Sequence, residues 1–338
     1  MLGNILMLVV SIGIILVACE LFTNGVEWLG KKLNLGEGAV GSILAAVGTA
    51  LPETLLPIIA IVFVGGAAAE EIGIGAILGA PFMLSTAAFF VTGFAVIIFS
   101  GRGRRNTLMR VNTTILGRDM RFFLTVYLIA AACAFIPWHE VKIGVAIFLL
   151  GLYVYYVMRT LGGDEGSGAG DLNPLHFARG VAVPGLTMVV LQVLVALGAI
   201  ILGSRIFVGN MEAVAHAARV SPLVLSLIIA PLATELPEKF NSVLWVRETK
   251  DTLALGNISG AMVFQSCIPV SVGLLLTPWE LDKYAIFSVV IALASTLLVF
   301  NTMRTRGVLT AHTLAVGGLF YLTYIAFVIF VPAAWNPF

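Results

Sequence analysis

The chain has 338 residues, of which 59% are hydrophobic and 11% charged, with a net charge of +1. A soluble globular domain carries charge on about a quarter of its residues, so this composition excludes a water-soluble fold and points to a chain built for lipid. The balanced charge, with basic residues confined to loops, leaves no electrostatic footprint for nucleic acid. The three cysteines, Cys19, Cys133 and Cys267, lie in apolar runs without CxxC spacing, so neither a disulfide framework nor a zinc site is expected.

In chain order, the apolar runs 5–18, 40–64, 87–100 and 285–300 have the character of bilayer spans, since a helix needs about 20 mostly apolar residues to cross. The first run lacks a basic leader and a small-residue cleavage site and reads as a retained helix. Polar breaks at 31–37, 69–71, 101–121, 137–142, 162–179, 205–221, 247–251, 278–283 and 304–307 divide the chain into ten predicted spans. The expected fold class is therefore an all-α membrane protein whose ten transmembrane helices form two inverted-topology five-helix repeats. Residues 1–161 make the first repeat, with its motif around 41–82; 162–178 are a linker rich in Gly, Asp and Glu; 179–338 make the second, with its motif around 223–267.

Basic residues crowd the odd-numbered breaks, among them Lys31, Lys32, Arg102, Arg104, Arg105, Arg110, Arg247, Lys250, Arg304 and Arg306, while the even ones hold Lys142, Arg219, Lys283 and Arg205. Because Lys and Arg in short loops favour the cytoplasmic side, a multi-pass inner-membrane protein with both termini extracytoplasmic is expected. Within 101–121, Leu108, Val111, Ile115 and Leu116 alternate with arginines, which predicts an amphipathic helix lying on the cytoplasmic leaflet.

The two halves repeat one another. Thr49 and Thr234 are 185 residues apart, and the same offset superimposes Glu27 on Glu212, Pro52 on Pro237 and Glu53 on Glu238. The segments read Gly48-Thr-Ala-Leu-Pro-Glu53 and Ala233-Thr-Glu-Leu-Pro-Glu238; after a four-residue change of register, Gly75-Ala-Ile-Leu-Gly79 stands opposite Gly256-Asn-Ile-Ser-Gly260. Five spans separate the copies, an odd number, so the second enters the bilayer from the other side, as in secondary transporters that bind substrate near the midplane. A proline in each motif is expected to open its helix and to free carbonyls such as those of Ala45, Ala46, Ile229 and Ala230. A carboxylate at the bilayer centre costs roughly 2.5 kcal/mol or more, so Glu53 and Glu238 call for a purpose. Together with the hydroxyls of Thr49 and Thr234 they offer the oxygen ligands that a hard cation such as calcium takes.

These paired motifs resemble those of the cation/calcium exchanger superfamily, typified by sodium/calcium exchangers, whose two repeats carry a G-T-S-L-P-E pattern followed by G-N-x-x-G-S. The resemblance implies that Glu53 and Glu238 ligate calcium and take part in sodium sites, that Thr49 and Thr234 contribute oxygen, and that Asn257 lines the site. The sequence also departs from the pattern. Ala76 stands where the first repeat has its asparagine, Ala50 and Glu235 follow the threonines in place of serine, and the motif ends become Ala80-Pro81 and Ala261-Met262. Several sodium ligands are thereby missing. Glu235 and Lys239, four apart on one helix face, suit a neutralising pair, with Glu235 as a further ligand or proton carrier as the other reading.

The functional expectation is a secondary active antiporter exchanging calcium, or a related divalent cation, for sodium by alternating access. Proton coupling is the alternative, since a carboxyl desolvated by a membrane keeps its proton to higher pH; a non-transporting or channel-like relative with a degenerate site is another. No resident cofactor is expected, only the transported calcium and sodium ions or protons, with the lipid bilayer as surroundings. No Ser/Lys, Asp/Asp or HExxH arrangement suggests an enzyme, and His139, His176, His216 and His312 show no ligand spacing. Glu20, Asn24, Gln192, Asn241 and Gln265 lie inside spans, either along the ion path or in interhelical hydrogen bonds. Glu70 and Glu71 are expected at the N-terminal end of the third helix.

Overall fold

The computed structural model describes residues 1–32, 51–161 and 173–331, the side chains of 51–52, 161, 233 and 236–241 excepted. The first half runs through α1 (Leu2–Lys32), α2 (Leu51–Ile58, continued by a π-helical turn, Ile59–Val64), α3 (Ala67–Met83), which passes through a second π turn (Leu84–Ala88) into α4 (Phe89–Gly101), then α5 (Thr113–Ala132) and α6 (His139–Leu161). The second half holds α7 (Leu186–Ala218), α8 (Pro222–Arg247), α9 (Asp251–Leu276), α10 (Lys283–Arg306), α11 (Ala311–Ala315) and α12 (Gly317–Phe330). Two-residue strands β1 (Leu108–Met109) and β2 (Leu309–Thr310) precede α5 and α11.

The fold is an all-α membrane fold. Among the described residues seven helical stretches are long and apolar enough to cross a bilayer: Leu2–Lys32, Ala67–Gly101, His139–Thr160, Leu186–Ala218, Asp251–Leu276, Lys283–Arg306 and Ala311–Phe330. Against the expectation of ten spans, Glu53–Val64 and Pro222–Leu232 are shorter apolar helices, and α5 is interrupted by Arg118, Asp119 and Arg121. The second break also falls earlier than expected. The chain turns at Gly65 and Gly66, whose φ of 70° and 89° suit glycine, so Ala69 and Glu71 are already inside α3.

Local chemistry sets several helix starts. Asn112 caps α5 by accepting from Thr114 N–H and Ile115 N–H, Ser221 caps α8 ahead of Pro222, and Asp282 caps α10 through Ala285 N–H at 2.7 Å. Each side-chain oxygen satisfies donors that the first helical turn leaves without a partner.

The amphipathic helix expected over 101–121 is not formed. Residues 102–112 instead make a loop around β1, which pairs antiparallel with β2, and helix begins only at Thr113. The apolar positions are consumed differently: Met109 and Leu309 are buried in the ladder and Leu116 in α5. Arg105 leaves the surface altogether. It grips Asp251 through two bonds of 2.7 and 2.8 Å and also donates to the Val246 carbonyl, with the two side chains only 3% and 1% exposed. Asp251 further accepts from Arg110 N–H at 2.8 Å. One loop of the first half is thus fastened to two loops of the second.

Packing follows the rule for helices in lipid, where apolar burial gives no drive and close backbone approach does. α9 is the most enclosed of the seven spans, 72% against 28% for α1 and α7; it touches α2, α3, α5, α6 and α8. α1 and α7 lie along one another, α5 against α10, and α4 against α11. Ile147, Phe148, Val154, Leu194, Leu319 and Leu322 are exposed on outer faces, as lipid-facing side chains are. The tightest contact is between α3 and α8. A methyl added at Gly75 would stand 2.3 Å from the Leu223 carbonyl oxygen, and one at Gly79 2.3 Å from that of Leu227. Ser226 donates to the Ile72 carbonyl at 2.7 Å across the same seam.

Gly79→Ala is expected to cost about 1–3 kcal/mol through overpacking and to lower the unfolding midpoint of the detergent-purified protein. Gly144→Ala, whose added methyl meets no atom within 4 Å, is expected to leave it unchanged. Asp251→Asn, which strands the buried Arg105 charge, is expected to cost about 3–5 kcal/mol by the same assay, and the double replacement Arg105→Met with Asp251→Leu less than that.

Candidate cation site

The described part of the site sits where α2, α3 and α8 meet. Glu53, in the first turn of α2, is 6% exposed, and Thr234, in the middle of α8, is also 6% exposed. With Leu56, Ala76, Ala80, Ala230 and Pro231 they line one narrow cleft with an accessible volume of about 10 Å³. The contact between α3 and α8 builds this cleft: Gly75 and Gly79 bring the helices together, and Ala76 and Ala80, on the next face of the same turns, are small enough to leave space. α1 packs against both α2 and α8.

The other anticipated ligands divide into three groups. Glu235 is 2% exposed in α8, and Asn257 is half-buried in α9; neither belongs to the described lining of the cleft. Glu238 falls on the α8 backbone but its side chain is outside the described residues, as is the Glu235–Lys239 pairing. Thr49 lies wholly outside them, with Ala45 and Ala46. Among the described residues no group of three or more His, Cys, Asp or Glu side chains is close enough to hold a metal ion.

Pro237 acts differently from the expectation, and residues 33–50, ahead of Pro52, lie outside the described ones. α8 stays helical from Pro222 to Arg247, so Pro237 does not open it, and the Ala230 carbonyl accepts from Thr234 Oγ1 at 3.1 Å. A proline withholds the N–H that would reach four residues back, so Pro237 relieves the Ala233 carbonyl and Pro231 that of Leu227. The helix departs from α geometry in the first half instead. Pro57 lies inside α2, and the π turn Ile59–Val64 follows at once, closed by Gly65 N–H on the Ala60 carbonyl at 3.0 Å. Pro81 likewise precedes the π turn at Leu84–Ala88, where Ser85 and Thr86 hydroxyls donate to the carbonyls of Pro81 and Phe82. Single π turns of this kind recur at functional sites.

Asn24 and Gln192 are interhelical links. Gln192 Nε2 donates to the Leu21 carbonyl at 2.8 Å and to Asn24 Oδ1 at 3.0 Å, joining α7 to α1, and its Oε1 accepts from Phe177 N–H. Asn24 and Trp28 also donate to the carbonyl of Asn173, so the end of the linker is anchored on α1. Glu20 is exposed beside His176 at 3.5 Å. Gln265 is buried, and its Oε1 has no hydrogen-bond partner among the described residues. Glu71, in the first turns of α3, lies beside Leu223 N–H at the start of α8.

One buried acid was not anticipated. Asp119 in α5 is 2% exposed and is held by Tyr156 OH on α6 at 2.8 Å, by Ser259 Oγ on α9 at 2.8 Å and by its neighbour Arg118 at 3.1 Å. Ser259 is two residues beyond Asn257, so this carboxylate fixes the stretch of α9 that carries the candidate ligand. The available sequence signal was a lone acid in an apolar helix. The arginines around it made the segment read as membrane surface.

The model of the sodium/calcium exchanger protein family matches residues 3–162 and 188–332. The chain is 22% identical over 280 residues to inner membrane protein YrbG of Escherichia coli (strain K12), covering 82% of each. It is 24% identical over 288 residues to the putative antiporter CaxA of Alkalimonas amylolytica, again covering 82% of each. In fold it resembles the H+/Ca2+ exchanger CAX, with a TM-score of 0.73 at 16% identity, covering 97% of this chain and 82% of that one. It also resembles the sodium-calcium exchanger NCX_Mj, with a TM-score of 0.55 at 18% identity over 96% of this chain and 98% of that one. With the family model covering both halves, the buried Glu53 and Thr234 across one cleft, and a membrane fold shared with these transporters, the chain belongs to the sodium/calcium exchanger protein family and is a transporter rather than an enzyme.

Proposed function

We propose that this protein is a secondary antiporter that moves calcium or a related divalent cation by alternating access, at a site built on Glu53 and Glu238 with Thr49, Thr234 and Asn257 around them. The observation that carries this reading is the placement of Glu53 and Thr234, one from each repeated motif, in the lining of a single cleft between α2, α3 and α8. A carboxylate desolvated in this way is held at a cost that a bound cation offsets, and hard cations take oxygen ligands of these types.

An inverted pair of five-helix repeats is supported by the packing partners. Exchanging α1 with α7, α2 with α8, α3–α4 with α9, α5 with α10 and α6 with α11–α12 turns the contact of α3 with α8 into that of α9 with α2. It turns α9 with α5 into α3 with α10, and α9 with α6 into α4 with α11; all of these contacts are present. Glu235 and Lys239, four residues apart in α8, suit a neutralising pair, with Glu235 as a further ligand or proton carrier the other reading.

Sodium is the counter-ion by likeness to NCX_Mj, and protons are the counter-ion by likeness to CAX. The lining favours protons as the second reading: Ala76 and Ala80 occupy it where oxygen-bearing side chains would serve additional sodium ions.

In proteoliposomes, calcium uptake against an opposing gradient is expected for the native chain, and Glu53→Gln and Glu238→Gln are each expected to reduce it to the level of empty vesicles. Near-native uptake by either variant removes that residue from the site. Imposing sodium and pH gradients separately identifies the counter-ion, and uptake indifferent to both sinks the antiport reading in favour of a channel or a non-transporting relative.

A further inference from the structure

The end of the molecule where α4, α8 and α10 terminate carries a surface that the transport reading does not use. In the β1–β2 ladder Leu108 lies opposite Thr310 and Met109 opposite Leu309. Met109 and Leu309 are buried, which turns Leu108, Arg110 and Val308 outward by the alternation of strands, and all three are exposed. Arg102 and Arg104, ahead of β1, and Arg304 and Arg306, ahead of β2, are exposed as well. The ladder therefore gathers arginines from both halves of the chain around two aliphatic side chains. The nearby acids are engaged elsewhere: Asp251 holds Arg105 and the Arg110 N–H, and Glu248 pairs with Lys250 at 2.7 Å. Among the described residues none of these five arginines forms an ion pair.

The patch lies where spanning helices end, level with the lipid headgroups. A guanidinium fork matches the geometry of a phosphate and keeps its charge at any physiological pH. Leu108 and Val308 between the arginines suit the apolar layer just below the headgroup. Clustered Arg at such a depth recognises anionic lipid. We propose that the β1–β2 face is a binding site for an anionic phospholipid whose phosphate is held by arginines of both halves, so that the bound lipid fastens the 102–110 loop to the 304–310 loop. Free phosphate has the same chemistry, and the experiment separates the two.

The full chain is reconstituted in nanodiscs of phosphatidylcholine alone or with phosphatidylglycerol, and the unfolding midpoint and the lipid retained in native mass spectrometry are measured. Phosphatidylglycerol is expected to raise the midpoint and to be retained roughly tenfold over phosphatidylcholine, each arginine contributing to the preference. The triple variant Arg102→Gln, Arg104→Gln, Arg110→Gln and the double variant Arg304→Gln, Arg306→Gln are each expected to lose most of that gain while keeping the native midpoint in phosphatidylcholine. Arg159→Gln, a basic residue at the end of α6, is expected to retain it. The proposal is overturned if either multiple variant keeps the full gain, or if inorganic phosphate added to phosphatidylcholine discs gives an equal one. Should a variant fail to fold, the native chain decides alone: its gain must shrink as salt rises, and a gain indifferent to salt is evidence against the site.

Discussion

Close backbone approach between α3 and α8 is the constraint on which the rest of the architecture depends. Gly75 and Gly79 stand one turn apart, and at each the opposing carbonyl occupies the place a methyl would need. In lipid, where burying an apolar side chain gains little, contact of this kind and the hydrogen bonds along it hold helices together. The spacing of the two helices in turn decides the cleft. Were α3 and α8 held apart by ordinary side chains, Glu53 and Thr234 would no longer line one narrow space.

Two buried acids complete this frame from the other direction. Asp251 is locked to Arg105, and Asp119 to Tyr156, Arg118 and Ser259. Both tie the central helix α9 to elements of the first half, one at its first residue and one two turns further in. Buried charges are weak evidence for net stability but strongly penalise any arrangement that separates the partners. They therefore act on α9 as constraints of position, and α9 carries Asn257. α1 and α7 differ in being pinned mainly to each other, through Asn24 and Gln192, with most of their surface facing lipid.

The irregular helices concentrate around Glu53. Pro57 interrupts the hydrogen-bond ladder of α2, and a wider turn follows before the chain reverses at Gly65 and Gly66. α8 passes through Pro237, which matches Pro52 rather than Pro57, without a break.

The sequence alone determined the membrane class and the paired motifs that carry Glu53 and Thr234, because hydropathy and repetition are properties of composition and spacing. It also placed the loops at 247–251 and 278–283 closely, whereas 205–218 continue α7 and 113–121 belong to α5. Only the tertiary structure decided that residues 102–112 form a loop and a strand rather than a surface helix. The partners responsible, Asp251 and Leu309, are some 140 and 200 residues away in the chain, and periodicity within a segment carries no information about them. The role of Asp119 was hidden for the same reason: it is defined by hydroxyls on α6 and α9. Gly75 and Gly79 were legible as a repeat, but their work at a helix seam required the opposing carbonyls of Leu223 and Leu227, which no local pattern names.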